Sequence, residues 1–362
     1  ITGGGGLTGV VAAEEAAGQP PDIAQLGLNS VDIAMRELAA QPIDQFAPKA
    51  EYEAMMQHIV PTARPLGMRN GHLYASPFTF STPTLFYNAD IFRAAGLDPN
   101  KPPTTWDEVH QDALQIKDKT GQAALDIAAI GVTGDWEAQS LVSSNGGSLL
   151  SGDGKTVTFN EPAAIETYKW FQGLVKDGTH PPLNSNDAIA AFNNGNLAMF
   201  LNSTALLYGA EAAAQGKFEL RTAGEPSFGT KPVHPVNSGS GLFVFSKDPI
   251  RQYAAWEFLN FGASQRGMTI ITSMIGYVPQ RDDVVDNPDY LKPYIDKDPN
   301  LITAFRQLPT LEPWLDWSHY KNGVQAESLF VDALQNVVYG GQDAQKTMDA
   351  AAVRVTDLIK QG

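Results

Sequence analysis

Along the first two-thirds of the chain, short apolar runs alternate with helix-patterned segments that stop at glycine. "VVAAEEAAG" reads as a helix stopped by Gly18, and "PDIAQLGL" as a strand entered through a proline turn. "SVDIAMRELAA" is a helix again. "HLYASPF" and "TPTLFYN" are two apolar runs separated by Thr79, Phe80 and Ser81, and "ADIFRAAGLDP" is a short helix with a glycine stop. "KPPTTWDEVHQDALQIKDKTG" is a proline-led helix whose T-x-x-E spacing at Thr105 and Glu108 makes a capping box. The alternation continues through "IAAIGV", "DWEAQSLVSSNGG", "EPAAIETYKWFQGLVKDG", "NDAIAAFNNG" and "NLAMFL". "GLFVFS" is continuously apolar, which predicts a strand buried on both faces. From Pro249 onward the pattern is nearly all helical. Such alternation predicts an α/β architecture with mostly parallel sheets, whose ligands collect at strand C-terminal ends. The opening "ITGGGGLTG" predicts a linker, a cloning scar or a flexible loop.

A chain of 362 residues exceeds one compact core, so two lobes are expected. Its 43% hydrophobic and 18% charged residues describe an ordinary globular protein. A formal net charge of −15 argues against nucleic acid and anionic membrane surfaces as partners. It permits a small anionic ligand, because a few local donors outweigh a distant surface field. The absence of cysteine removes thiolate chemistry, disulfides and Cys-ligated zinc. No apolar run is long enough to insert in a membrane, and no charged-then-apolar leader precedes the chain, which reads as mature or never exported.

Catalytic signals are missing. His58, His72, His110, His180, His234 and His319 are scattered, with no metal-binding helical spacing among them. There is no P-loop and no nucleophile elbow, and "GSG" at Gly239 to Gly241 is too short for a dinucleotide fingerprint. The chain is expected to be no enzyme and to carry no cofactor or metal.

The run "YASPFTFSTPTLFYNADIFRAAGLDPNKPPTTWDEV" resembles the extracytoplasmic solute-binding proteins of ABC importers, in the maltose-binding-like group. Within that group the glycerol-3-phosphate-binding subgroup is nearest, on Pro77 to Asn88, the stretch ending at Trp106, "FNNGNLAM", "GYVPQ" and "FRQ" around Arg306. The likeness extends from about Leu7 to the C-terminus. It implies a two-lobed periplasmic-binding-protein fold of class II type, with a ligand cleft and crossing hinge segments near Thr84, Ser238 and Leu308. The N-terminal lobe is then expected to comprise 1–84 and 238–308, and the C-terminal lobe 85–237 and 309–362. The resemblance also implies a monomer that hands its solute to the transmembrane subunits of an ABC permease. Its location would be periplasmic or otherwise extracytoplasmic, a lipid anchor in the precursor being one option.

The resemblance carries the phosphate-holding positions onto Ser81, Ser203, Gly239, Tyr277 and Arg306. Phosphate offers only acceptors, so hydroxyls, backbone N–H groups and a guanidinium fork suit it. Ser203 stands where a strand gives way to a helix, so its hydroxyl either caps that helix or joins free N–H groups facing a ligand. Ser81 reads equally as a turn serine. Gly239 reads as a tight turn with positive φ and as a point of close backbone approach. Tyr277 could simply pack a lobe. Arg306 sits in the mostly apolar "NLITAFRQL", where a charge wants a protein carboxylate or a ligand phosphate. Trp106 is either a packing residue or an aromatic face over the glycerol carbons.

Two departures stand out. The family's acidic reader of the glycerol hydroxyls falls on Leu28, with Asn29 adjacent, and its tyrosine before the first helix is replaced by the glycine run. The resemblance also implies a first strand and a long helix that would stand upstream of Ile1. A leucine there would tolerate a larger or less polar head group, so a glycerophosphodiester joins sn-glycerol-3-phosphate as a candidate ligand. The alternatives are a neutral sugar or oligosaccharide, with Trp136, Trp314 and Trp317 as stacking faces, and a hydrolase using cleft carboxylates.

Overall fold

The computed structural model describes residues 3–131 and 134–361. Its strands are β1 (Ile23–Gly27), β2 (Met68–Arg69), β3 (His72–Leu73), β4 (Ser76–Ser81), β5 (Pro83–Asn88), β6 (Ala123–Ile127), β7 (Leu197–Ser203), β8 (Leu220–Ala223) and β9 (Ser238–Val244). The chain divides into two compact units. The first comprises Ile1–Ser81, Asn237–Pro299 and Pro313–His319, and the second Thr82–Val236, Asn300–Glu312 and Tyr320–Gly362.

In the first unit β9 lies between β1 and β4, antiparallel to both. Thr79 to Ser81, expected to separate two apolar runs, instead complete β4, because Ser240, Gly239 and Ser238 of β9 pair with them past a bulge at Pro77/Thr79. Leu242 and Val244 join Ile43, Met55, Leu73, Trp256, Leu259 and Met268 in the core of this unit. The glycine-rich opening, expected as linker or loop, enters a helix over Gly3–Ala16. Glycine lowers helix propensity without forbidding the conformation.

In the second unit the strand order is β6-β7-β5-β8. The β5–β7 and β5–β8 pairs are antiparallel, and β6–β7 is the parallel pair. The expectation of mostly parallel sheets therefore fails. Parallel neighbours need a long crossover, and β6–β7 has one carrying helices Gly134–Ser144, Pro162–Lys176 and Ser185–Asn193. The strand expected at "IAAIGV" lies instead at Ala123–Ile127, where β7 offers a partner. Phe86, Phe192 and Phe200 pack edge to face and tilted in the core beside this sheet.

Local signals position the helices. Asn88 accepts the N–H groups of Asp90 and Ile91, and Gly96 closes that helix in the left-handed conformation. The Thr105–Glu108 capping box is formed. The units differ from the expected lobes at 82–84 and 237 and, more substantially, in where 300–308 and 313–319 belong. Gln307 Nε2 donates to the Pro83 carbonyl at 2.7 Å and its Oε1 accepts the Glu225 N–H at 2.9 Å, which holds 300–312, Arg306 included, in the second unit. Arg69 Nη2 reaches Asp316 Oδ2 at 2.7 Å and Arg36 Nη1 the His319 carbonyl at 2.7 Å, which returns 313–319 to the first. Among the described residues no helix is long and apolar enough to cross a membrane.

Candidate functional site

On the first unit, the helix Gln265–Ile275 ends at Gly276 with φ 101°, and the chain turns so that the Val278 N–H donates to the Phe80 carbonyl at 2.7 Å. Tyr277 is thereby fixed beside β4, and burial holds the ionisation of its phenol above the ordinary range. Thr79 Oγ1 lies 2.6 Å from Ser240 Oγ and accepts the Ser240 N–H at 2.9 Å. Gln25 Nε2 donates to Ser240 Oγ at 2.6 Å. The sequence reading missed Gln25, Thr79 and Ser240. Its only available signal was the run of hydroxyl and amide residues on strands that had to pair.

Gly239 lies in this network with φ +134°, and a Cβ there would stand 2.1 Å from the Thr79 carbonyl oxygen. The positive φ is as expected, but it serves strand-to-strand approach inside β9 and not a turn. Ser81 is buried opposite Ser238. Leu28 is 7% exposed, in the 3-10 turn Leu28–Ser30 that follows β1. Asn29 is half-buried, and its Oδ1 lies 2.5 Å from where a Gly27 Cβ would stand.

On the second unit, Ser203 ends β7 and caps the single 3-10 turn Thr204–Leu206, accepting the Ala205 N–H at 3.1 Å. The Ser203 N–H goes to Asn202 Oδ1 at 2.7 Å and the Thr204 N–H to the Thr82 carbonyl at 3.2 Å. The expected free N–H groups are therefore occupied within the protein, because the α-helix starts only at Leu207. Ser203 can still donate its hydroxyl proton.

Arg306 lies on the helix Ile302–Gln307, exposed while Phe305 and Gln307 are buried. Its charge is solvated, so the apolar sequence around it does not demand a partner, and it makes no hydrogen bond or ion pair among the described residues. Trp106 is 1% exposed, with its ring 4.8 Å from Trp170 and 6.0 Å from Phe228. It belongs to an aromatic cluster in the core and offers no face to a ligand. Trp136, Trp314 and Trp317 are buried as well, which removes the stacking faces expected for sugar rings.

His58, Asp282 and Asp283 bring ligand atoms within 4.8 Å of one another. Arg281, however, takes both Asp283 oxygens at 2.7 and 2.8 Å, so a cation would have to displace a guanidinium.

These two units share their fold with the two-lobed periplasmic solute-binding proteins. The cyclic alpha-maltosyl-1,6-maltose binding protein from Arthrobacter globiformis aligns over 100% of this chain and 90% of its own, with a TM-score of 0.84 at 22% identity. UgpB from Mycobacterium tuberculosis, solved in complex with glycerophosphocholine, aligns over 99% and 89% with a TM-score of 0.86 at 21% identity. The bacterial extracellular solute-binding protein family matches residues 3–329, and the chain belongs to that family. It is also similar to the sn-glycerol-3-phosphate-binding periplasmic protein UgpB of Escherichia coli (strain K12), at 26% identity over 359 residues, covering 95% of this chain and 81% of the relative. The protein from Shigella dysenteriae is similar at 27% identity with the same coverage.

Proposed function

We propose that this chain captures a phosphorylated glycerol compound, either sn-glycerol-3-phosphate or a glycerophosphodiester, and delivers it to the transmembrane subunits of an ABC permease. The observation that carries the reading is the uncommitted guanidinium of Arg306, a bidentate donor suited to phosphate, on the same unit as the Ser203 hydroxyl. Tyr277, Ser81 and Gly239 supply the corresponding positions on the first unit. Relatives named for glycerol-3-phosphate along nearly the whole chain support the same chemistry. A sugar ligand is favoured by several solved neighbours named for sugars, the maltosyl-maltose binding protein among them, but burial of the tryptophans that would stack on sugar rings weighs against it.

The test is a melting-temperature shift with sn-glycerol-3-phosphate, glycerophosphocholine, glycerol, inorganic phosphate and maltose. A ligand at 100 times its Kd stabilises by about 2.7 kcal/mol. A shift with a phosphorylated ligand that Arg306→Ala abolishes supports the reading, and the order of monoester and diester then names the ligand. A shift with maltose alone overturns it.

A further inference from the structure

Gln307 follows Arg306 in the chain, yet it is 8% exposed where Arg306 is open to solvent. Its side-chain amide is engaged at both ends. Nε2 donates to the Pro83 carbonyl at 2.7 Å and to Thr82 Oγ1 at 3.3 Å, and Oε1 accepts the Glu225 N–H at 2.9 Å. These partners fix the orientation of the amide, since a backbone N–H only donates and a carbonyl only accepts. One side chain thus ties together three stretches of the second unit, at 82–83, at 225 and at 302–307.

Two of these stretches carry or adjoin the donors read as phosphate contacts. Pro83 opens β5 and is the registered partner of Ser203 at the end of β7. The Thr82 carbonyl accepts the Thr204 N–H at 3.2 Å, which holds the residue after Ser203 to the same point. The residue next to Arg306 is therefore bonded to the strand partner of Ser203. The other end of the helix Ile302–Gln307 is held separately, by Thr222 Oγ1, which donates to the Asn300 carbonyl at 3.0 Å and lies 2.8 Å from Thr303 Oγ1. Arg306 makes no hydrogen bond or ion pair among the described residues, so its backbone is located by its neighbours alone.

We propose that Gln307 is a positioning residue for the ligand, holding the Arg306 guanidinium and the Ser203 hydroxyl at a fixed spacing so that one phosphate meets both. The proposal rests on the reading of Arg306 and Ser203 as ligand contacts, while the clamp itself is testable without ligand. Both Nε2 protons are engaged within the protein, so Gln307 offers the phosphate no donor and acts only through its neighbours. A short helix on a separate stretch of chain that was not held would have to be ordered at the moment of binding, and that ordering opposes affinity.

The experiment uses the full chain with Gln307→Met, which keeps the length of the side chain and loses all three bonds. In titrations with sn-glycerol-3-phosphate it is expected to weaken binding about tenfold, and by under about threefold in the Ser203→Ala background, where the spacing no longer matters. An equal loss in both backgrounds overturns the proposal. Hydrogen exchange in the ligand-free protein is the readout that a general loss of stability would not reproduce. Gln307→Met is expected to speed exchange at 203–206 and 302–307 ahead of the rest of the second unit. Acceleration spread evenly over that unit means that Gln307 serves the fold as a whole, and overturns the proposal too. If Gln307→Met fails to fold, Gln307→Asn, which keeps the amide but falls one methylene short, makes both measurements. If the wild type binds no phosphorylated compound, the ligand reading falls, and the exchange result alone decides the clamp.

Discussion

Asp126 and His180 lie side by side in the second unit, and replacing one should expose the proton held by the other. His180 is fully buried, its ring 5.0 Å from that of Phe171, and its Nε2 accepts the Ile127 N–H at 2.8 Å. That nitrogen therefore carries no proton, and its 3.7 Å approach to Asp126 Oδ2 is a contact between neutral groups, not an ion pair. Burial pushes Asp126 from an ordinary 3.8 up to about 7. Burial likewise pulls His180 from 6.5 down to about 4. At about 1.4 kcal/mol per pH unit these correspond to roughly 4 and roughly 3 kcal/mol.

The signs oppose. The folded state holds the Asp126 proton more tightly than the unfolded chain does, so that contribution is complete below 3.8 and lost as pH rises to about 7. His180 contributes fully above 6.5 and loses stability as pH falls to about 4. Between those limits the folded pair keeps one proton on Asp126 while the unfolded chain keeps one on His180. The two slopes cancel. Asp126→Asn removes one arm, so its stability relative to wild type should rise by roughly 4 kcal/mol between about pH 4 and about pH 8. Urea titrations of both proteins across that range measure the difference. Glu225, raised by burial to about 7, affects both proteins alike and drops out. A difference that stays flat with pH would mean Asp126 is ionised in the folded state, refuting the neutral pair.

Gly239→Ala should lower stability by about 3 kcal/mol, from strain at φ +134° and overlap with the Thr79 carbonyl, read as a lower Tm with far-ultraviolet dichroism retained below it. Arg69→Met should cost roughly 3 kcal/mol, because Arg69 bridges the buried Asp32 and the half-buried Asp316 at 2.5 and 2.7 Å. Faster hydrogen exchange across 313–319 would locate the loss. Thr105→Ala removes the cap that holds the Glu108 N–H at 3.2 Å, and should cost about 1 kcal/mol by urea denaturation.

The helices were legible in the sequence where their ends are set by nearby residues. The glycine stop at Gly96 and the capping box of Thr105 with Glu108 act within one or two turns, and both are present; Asn88 adds an N-cap that the sequence reading had not named. The apolar runs that became β4, β5, β7 and β9 were legible for the same reason, since strand burial leaves a local pattern. Strand direction was not legible, because antiparallel pairing of β9 with β1 and β4 joins residues more than 150 positions apart. The candidate site divided in the same way. The resemblance singled out Arg306, Ser203 and Tyr277, and their residue types, all hydrogen-bond donors, suit phosphate. Only the tertiary structure assigned Trp106 and Leu28 to the core, satisfied the N–H groups around Ser203, and brought Gln25, Ser240 and Thr79 together. The sequence by itself determined which side chains can donate, accept or cap, since that is fixed by covalent structure and near neighbours. Burial and hydrogen-bond partnership depend on which distant strands lie alongside, and that was decided only when the chain packed.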